Sequence, residues 1–508
     1  MDETPRGVIN WFAVHQVSMN LSNYLISGDN KGIASLIMEK QFNKGIEPGK
    51  GPFVAAFAQS NHGDTTPNLN GPICRKTGLP CDNEQSKCKD RFDTCVASGP
   101  GRDMFESTSI IAERQLNKSL ELLRLSKEDQ TPIEGGFQGV FQRIDMSDRH
   151  FVSPNGMYHK TCKPALGFSF AAGTTDGNPG GITRIFMQGD TNGHPFLKGI
   201  RDLVDLVLIR GIRPPKPQID CHAPKPILLY TGGINLPYQW HPNIVGTQIF
   251  KLGRVYILGG PSEFSTMAGR RLRETVSNII KRIKPEEQHP KVVFAGMTSI
   301  YNHYVTTTEE YLAQRYEGAS MLYGPYTLQA YQQQYRFLAE KLAKQEIVKS
   351  LGPEAPDLYE TAKNYKPGRN HLRRVRFDKP PRGKNFGDCI LQPPHIAKKG
   401  VDIVDVEFVS GNLRNNPLLE RSFLYVERLD NENWEIVAVD TDIETRLEWI
   451  RTNFLHGQSK VRISWEIPLA TEPGTYRIRH VGFYKKWTIF WNGKTFDYEG
   501  STRSFEVK

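Results

Sequence analysis

The hydrophobic pattern of this chain changes character once, at a proline-, glycine- and arginine-rich stretch from about Pro353 to Gly387. Apolar residues set at different periods on either side of a breaker call for two different architectures. Before it, "PFVAAFA", "PILLYTG" (Pro226–Gly232), "RVYILGG" (Arg254–Gly260) and "KVVFAGM" (Lys291–Met297) are short apolar runs bounded by Gly or Pro. Buried strands read this way. "TMAGRRLRETVSNIIKRI" (Thr266–Ile283) and "TLQAYQQQYRFLAEKLAKQEI" (Thr327–Ile347) carry apolar residues three and four apart, the stripe of an amphipathic helix. Strand followed by helix predicts an α/β domain over residues 1–352, with a linker at 353–388. From 389 to 508 the pattern alternates: "VDIVDVEFV", "SFLYVERL", "KVRISWEI" and "GTYRIRHVGFY" predict an all-β sandwich.

At 508 residues the chain is too long for one ordinary core. Apolar content of 38% with 24% charged residues argues against disorder. No apolar run nears the roughly 18 residues of a membrane span. The opening "MDETPRGVINWFAVH" lacks a basic start followed by an apolar run, and Gly7–His15 reads as a core strand close to the first methionine. The net charge of +10 is dispersed except for "HLRRVRFDKPPRGK" (His371–Lys384). Without a zinc-finger, Walker or recognition-module motif, this charge points away from nucleic acid, and contact with an anionic membrane surface suits it as well.

Cys74, Cys81, Cys88 and Cys95 recur every seven residues in the polar segment "CRKTGLPCDNEQSKCKDRFDTC". Zinc clusters use pairs two to four residues apart, and a loop so poor in apolar residues needs cross-links, so two disulfides are expected. Cys162 and Cys221 make a third pair and leave Cys389 over. Sequons at Asn20 and Asn117 agree with a secretory-pathway protein, secreted or on the outer face of the plasma membrane.

Four segments carry groups suited to chemistry. "SNHGDTTPNLNGPICRKTG" (Ser60–Gly78) follows an apolar strand and sets two hydroxyls, Thr65 and Thr66, amid turn residues; it either ends the strand or aims a hydroxyl into a site. His15 ends an apolar strand pattern, where a histidine is either a satisfied core residue or a ligand. Glu263 lies in a strand-to-helix turn, where a carboxylate caps the helix or binds a cation. Ser299–Thr327 holds six tyrosines, whose hydroxyls need partners when buried; this density predicts a polar cavity.

At these residues, "INWFAVHQVSMN", "GPFVAAFAQSNHGDTTPN", "GPGRDMFEST" (Gly99–Thr108), "KTCKPALGFSFAAGTTDG" (Lys160–Gly177), "EFSTMAGRRLRE" (Glu263–Glu274) and "YVTTTEEYLAQRYEGAS" (Tyr304–Ser320) together resemble the neutral ceramidases. These are zinc amidases that cleave ceramide into sphingosine and fatty acid. The resemblance runs in order along nearly the whole chain. It implies an α/β catalytic domain followed by an immunoglobulin-like domain. It also implies zinc ligands at His15, Glu263 and Tyr304, and an oxyanion-stabilising tyrosine at Tyr316. The implied disulfide pairing is interleaved, Cys74–Cys88 and Cys81–Cys95. "NHGDTTPN" corresponds to the family's Asn-x-Gly-Asp-Val-Ser-Pro-Asn signature, so the active-site hydroxyl falls on Thr66, a threonine where the family has serine. If that hydroxyl does no chemistry, Ser60 is the next candidate. Asp440, Asp442 and Thr445 in "DTDIET" match the family's calcium or magnesium site.

The family's first zinc histidine, on a His-x-His segment, and a ligand-binding arginine precede the strand of His15, and this sequence lacks both. The chain is therefore expected to bind zinc weakly and to turn ceramide over poorly or not at all; tight zinc binding with robust turnover would mean that another residue, His62 or His303, completes the site. A catalytically impaired lipid-binding relative is the competing expectation.

Overall fold

The computed structural model describes residues 4–508 except 83, 91, 126–128, 154–155, 177–185, 208–211, 236–237, 288, 360–374 and 487–493. Gly7–Phe12 and Val54–Gln59 pair in parallel, in register from Gly7↔Val54 to Phe12↔Gln59. Parallel strands need a crossover, and the helix Asp29–Phe42 supplies it. That helix and Met104–Leu123 bury Ile33, Ala34, Met38, Leu116 and Leu120 against Phe53, Ala55 and Phe57. Asp103 caps the longer helix by accepting from Glu106 N.

The main sheet runs Lys291–Ala295, Val255–Gly259, Ile244–Leu252, Phe137–Asp145. It is mixed: Ile244–Leu252 is antiparallel to both of its neighbours, and Val255–Gly259 pairs in parallel with Lys291–Ala295. That parallel step is bridged by the helix Thr266–Ile283, whose buried Leu272, Val276 and Ile280 join Leu258 and Phe294 in the largest core. Thr327–Ala343 packs into the same core through Tyr331, Tyr335 and Leu338. The expected second helix thus stops short of Ile347. The four apolar runs named from sequence all contain strands, with Ile227–Leu229 in a separate two-stranded pair. The two long antiparallel strands were not foreseen, because their apolar residues are spaced among glycines and glutamines.

Disulfides join Cys74–Cys88, Cys81–Cys95 and Cys162–Cys221, and Cys389 is free. The interleaved pair encloses a short hairpin of Pro72–Cys74 with Cys95–Ala97.

The C-terminal unit has two sheets. One orders Cys389–Leu391, Ile403–Ser410, Gln458–Glu466 and Thr445–Asn453. The other orders Ile396–Ala397, Phe505–Val507, Gly474–Lys485, Leu424–Asp430 and Asn433–Val439, with Thr495–Ser501 also on Gly474–Lys485. Val404, Val406, Phe408, Ile463 and Trp465 of the first meet Val426, Ile478 and Phe505 of the second in one core. This is the sandwich arrangement that the alternation predicts. Part of the linker and of the basic cluster, residues 360–374, lies outside the described residues. The linker ends earlier than 388: the Asp378 carboxylate already accepts from Asn412 N, Asn415 Nδ2 and Lys485 N.

Candidate active site

The carboxyl ends of the two parallel N-terminal strands converge. Lys31, buried without a carboxylate partner among the described residues, donates to Phe12 O at 2.9 Å, Ala58 O at 3.2 Å and Gln115 Oε1 at 3.1 Å. Burial lowers its pKa to about 8. Gln59 Nε2 donates to Val14 O at 2.6 Å, and Asn30 Nδ2 to His15 O at 3.0 Å. The chain around His15 is thus held on both sides before its side chain makes any contact.

The other wall comes from the pairing of Glu263–Phe264 with Tyr304–Val305, in which Glu263 lies opposite Tyr304. The turn after the second strand is pressed onto it. Gly63 N donates to Phe264 O at 2.8 Å, and a Cβ at Gly63 would lie 2.7 Å from Glu263 O, so only glycine fits. Asp64 accepts from Thr266 N at 2.7 Å, at the positive N-terminal end of Thr266–Ile283.

Between these walls, His15 Nδ1–H donates to Thr65 O at 2.6 Å and Nε2–H to Glu263 Oε2 at 2.7 Å. His62 Nδ1 lies 3.0 Å from Ser60 O, and its Nε2 is 3.3 Å from the same Glu263 oxygen. Tyr301 OH donates to Glu263 Oε1 at 2.6 Å, and Tyr304 OH lies 3.4 Å from His15 Nε2. Tyr316 packs edge-on against Tyr304, ring centroids 5.5 Å apart. Burial disfavours charge on Glu263, yet hydrogen bonds from His15, His62 and Tyr301 hold its pKa well below the usual carboxylate range. Burial likewise opposes the His15 cation, but the hydrogen bond and charge of Glu263 raise its pKa. Burial, reinforced by the Glu263 charge, raises the phenols of Tyr301, Tyr304 and Tyr316, so all three stay protonated donors.

One nitrogen and oxygen donor set fits a metal ion here: the ligand atoms of His15, His62 and Glu263 all lie within 4.8 Å of one another. Each imidazole is tied through Nδ1 to a backbone carbonyl, which turns Nε2 inward; metal-binding histidines are oriented in this way. The structure brings together the three ligands expected from sequence, His15, Glu263 and Tyr304, and sets beside them His62, one of the two histidines named as able to complete the site. His303 goes elsewhere, its Nε2 lying 3.0 Å from His241 Nε2, and burial pushes both rings down to about 4. A second close group, Cys74, Cys81 and Cys88, is accounted for by the disulfides.

Thr66 is exposed, and its Oγ1 donates to Asp176 Oδ1 at 2.6 Å. Sequence reasoning missed Tyr301, Asp176 and Lys31, which act only through partners distant in the chain. His62 had one signal, a histidine at the variable position of the family signature.

In the C-terminal unit, Asp440 accepts from Phe423 N at 2.8 Å and Asp442 from Val439 N at 2.8 Å, while Lys40 Nζ lies 2.5 Å from Asp442 Oδ1. Thr445 Oγ1 donates to Val439 O at 2.7 Å. The three residues proposed for calcium or magnesium are neighbours, but a lysine ammonium already stands against the Asp442 carboxylate. Asn20 and Asn117 are both exposed, the latter on the helix Met104–Leu123.

The profile of the neutral/alkaline non-lysosomal ceramidase N-terminal region matches residues 1–333, and that of the C-terminal region residues 335–507. Among curated proteins, the neutral ceramidase of Drosophila melanogaster is 40% identical over 511 residues, covering 99% of this chain and 69% of the relative. Neutral ceramidase 1 of Arabidopsis thaliana is 37% identical over 576 residues, covering 99% and 71%. A solved structure of a ceramidase complexed with C2 superposes with a TM-score of 0.78 at 36% identity, covering 99% of this chain and 70% of that one. Neutral ceramidase from Pseudomonas aeruginosa superposes at 0.76 with 34% identity, covering 99% and 69%.

Proposed function

The chain belongs to the neutral/alkaline non-lysosomal ceramidase family and is a ceramidase, and from that premise we propose that it hydrolyses the N-acyl amide of ceramide with a zinc ion held by His15, His62 and Glu263, with Tyr304 beside them. The observation that carries this reading is the pair of imidazoles, each braced through Nδ1, turned onto one buried carboxylate. Nitrogen donors with a single carboxylate suit zinc better than a hard cation. When bound, zinc supplies a Lewis acid for the carbonyl and acidifies a water towards neutral pH.

The remaining work belongs to the protein. Tyr301 fixes the rotamer of Glu263, and Thr65 and Ser60 fix the two rings. The half-buried Tyr316 phenol keeps its proton and suits a donor to the oxygen that gains charge as the amide carbon becomes tetrahedral. Thr66, exposed at the turn, supplies the hydroxyl that the family provides as serine. The amide C–N bond breaks, the acyl carbon gains water's hydroxyl, and the leaving amine takes up a proton. Three disulfides and two exposed sequon asparagines support an oxidising compartment, in which the enzyme meets its lipid substrate at a membrane surface.

Chelation of the purified chain should abolish hydrolysis of a fluorescent ceramide, and one equivalent of zinc should restore it. Turnover that persists after elemental analysis finds no metal would defeat this reading.

A further inference from the structure

The hydroxyl of Thr66 has little freedom. A threonine hydroxyl offers one proton and two lone pairs. Its proton goes to Asp176 Oδ1 at 2.6 Å, and one lone pair accepts from Asn68 N at 3.1 Å. Asn68 Nδ2 donates to the same Asp176 oxygen at 2.6 Å, closing a small ring of Thr66, Asn68 and Asp176. Asn68 is buried and Thr66 exposed, so the ring sits at the surface of the turn with the hydroxyl open to a ligand. Asp176 is itself held from a distance: Ala97 N donates to Thr175 O at 2.9 Å, and Ala97 ends the hairpin that the interleaved disulfides enclose. Further along, Gln188 Nε2 donates to Gly173 O at 2.9 Å. The cross-linked loop therefore has a use beyond its own stability. It sets the backbone that presents Asp176 to the turn.

We propose that Asp176 is the positioning residue through which Thr66 acts, its carboxylate taking the Thr66 proton contact so that the remaining Oγ1 lone pair faces the substrate. This rests on the reading that Thr66 is the active-site hydroxyl. It also gives that hydroxyl a direction. Thr66 meets the ceramide headgroup as an acceptor, toward the amide N–H or a sphingoid hydroxyl, and leaves the carbonyl oxygen to other donors. The neutral amide of asparagine at 176 would present a donor or a weaker acceptor and release the hydroxyl to rotate.

The test is a cycle of T66A, D176N and the double variant in the full chain, each followed by kcat and KM on a fluorescent ceramide, thermal melting and zinc content. D176N should lower kcat on the order of 100-fold, as loss of a near-attack geometry does, with melting and zinc content unchanged. In the T66A background the same change should cost nothing further. Parent-like kcat in D176N with an inactive T66A overturns this proposal alone. So does an equal loss in both backgrounds, or a D176N chain that sheds zinc or melts early, since either assigns Asp176 a separate or scaffold role. Full activity in T66A overturns the reading of Thr66 itself, and this proposal with it.

Discussion

Glu263 gathers the site: one oxygen receives both histidines and the other Tyr301. A buried carboxylate with three donors costs far less than a bare one, because each donor replaces water lost on burial. The two histidines differ in their scaffolds. His15 depends on strands joined across the fold, whereas His62 takes its orientation from Ser60 O, two residues away. His62→Ala should therefore keep the fold and weaken zinc binding by at least the roughly 10- to 100-fold that a supporting residue costs. His303→Ala should leave zinc affinity unchanged, because that ring faces His241. Calorimetric zinc titration of both variants separates the two; the reverse ranking would remove His62 from the site.

At the scale of elements, the site depends on how one helix begins. Ser265 accepts from Ala268 N at 3.2 Å as the cap of Thr266–Ile283, and its hydroxyl donates to Glu310 Oε2 at 2.7 Å. Glu310 in turn closes the capping box of the short helix Thr308–Leu312 with Thr307. One serine thus ties the turn after Glu263 to the segment after Tyr304. Ser265→Ala should cost about 1–2 kcal/mol, the upper end expected for a cap because Glu310 also loses one of its two donors to Oε2. Urea unfolding measures this. A loss within error would mean that the strand pairing alone sets the turn.

Across the whole molecule, the C-terminal unit meets the N-terminal cluster of Ile33, Met38 and Phe53 through Ile443 and through charged groups. Arg102 Nη2 reaches Glu466 Oε1 at 3.2 Å, Lys40 reaches Asp442, and the Arg446 guanidinium lies 3.9 Å over the Phe105 ring. The exposed Arg102–Glu466 pair contributes little, whereas the buried Asp442 needs Lys40 or another cation beside it. Each unit also buries neutral imidazoles. Burial pushes His480 down to about 4 in the C-terminal core and His222 to about 3 in the other. The unfolded chain binds these protons near pH 6.5 and the folded chain does not, so stability is complete above 6.5 and declines as pH falls towards 4. For His480 alone the loss is on the order of 3 kcal/mol. Melting temperature should fall between pH 7 and 4.5, and His480→Gln should flatten that slope for the C-terminal transition. An unchanged slope would mean that other groups govern acid unfolding.

Local chemistry determined much of this protein. The period of Thr266–Ile283, the Gly- and Pro-bounded strands, the alternation after the linker and the need to cross-link Cys74–Cys95 are properties of short segments, and each survives in the structure. The ligand roles of His15 and Glu263 were legible only through the family resemblance, since the residues alone left each with a structural alternative, a core histidine and a helix cap. Strand pairing was not legible. Phe137–Asp145 joins Ile244–Leu252 over a hundred residues away, and hydrophobic period records that a strand is half-buried without recording its neighbour. The same holds for the site. His15 meets Glu263 across 248 positions, and Thr66 meets Asp176 across 110. Tertiary structure alone decided these encounters, because a hydrogen bond needs atoms within about 3 Å, and only the packed cores bring such distant segments that close.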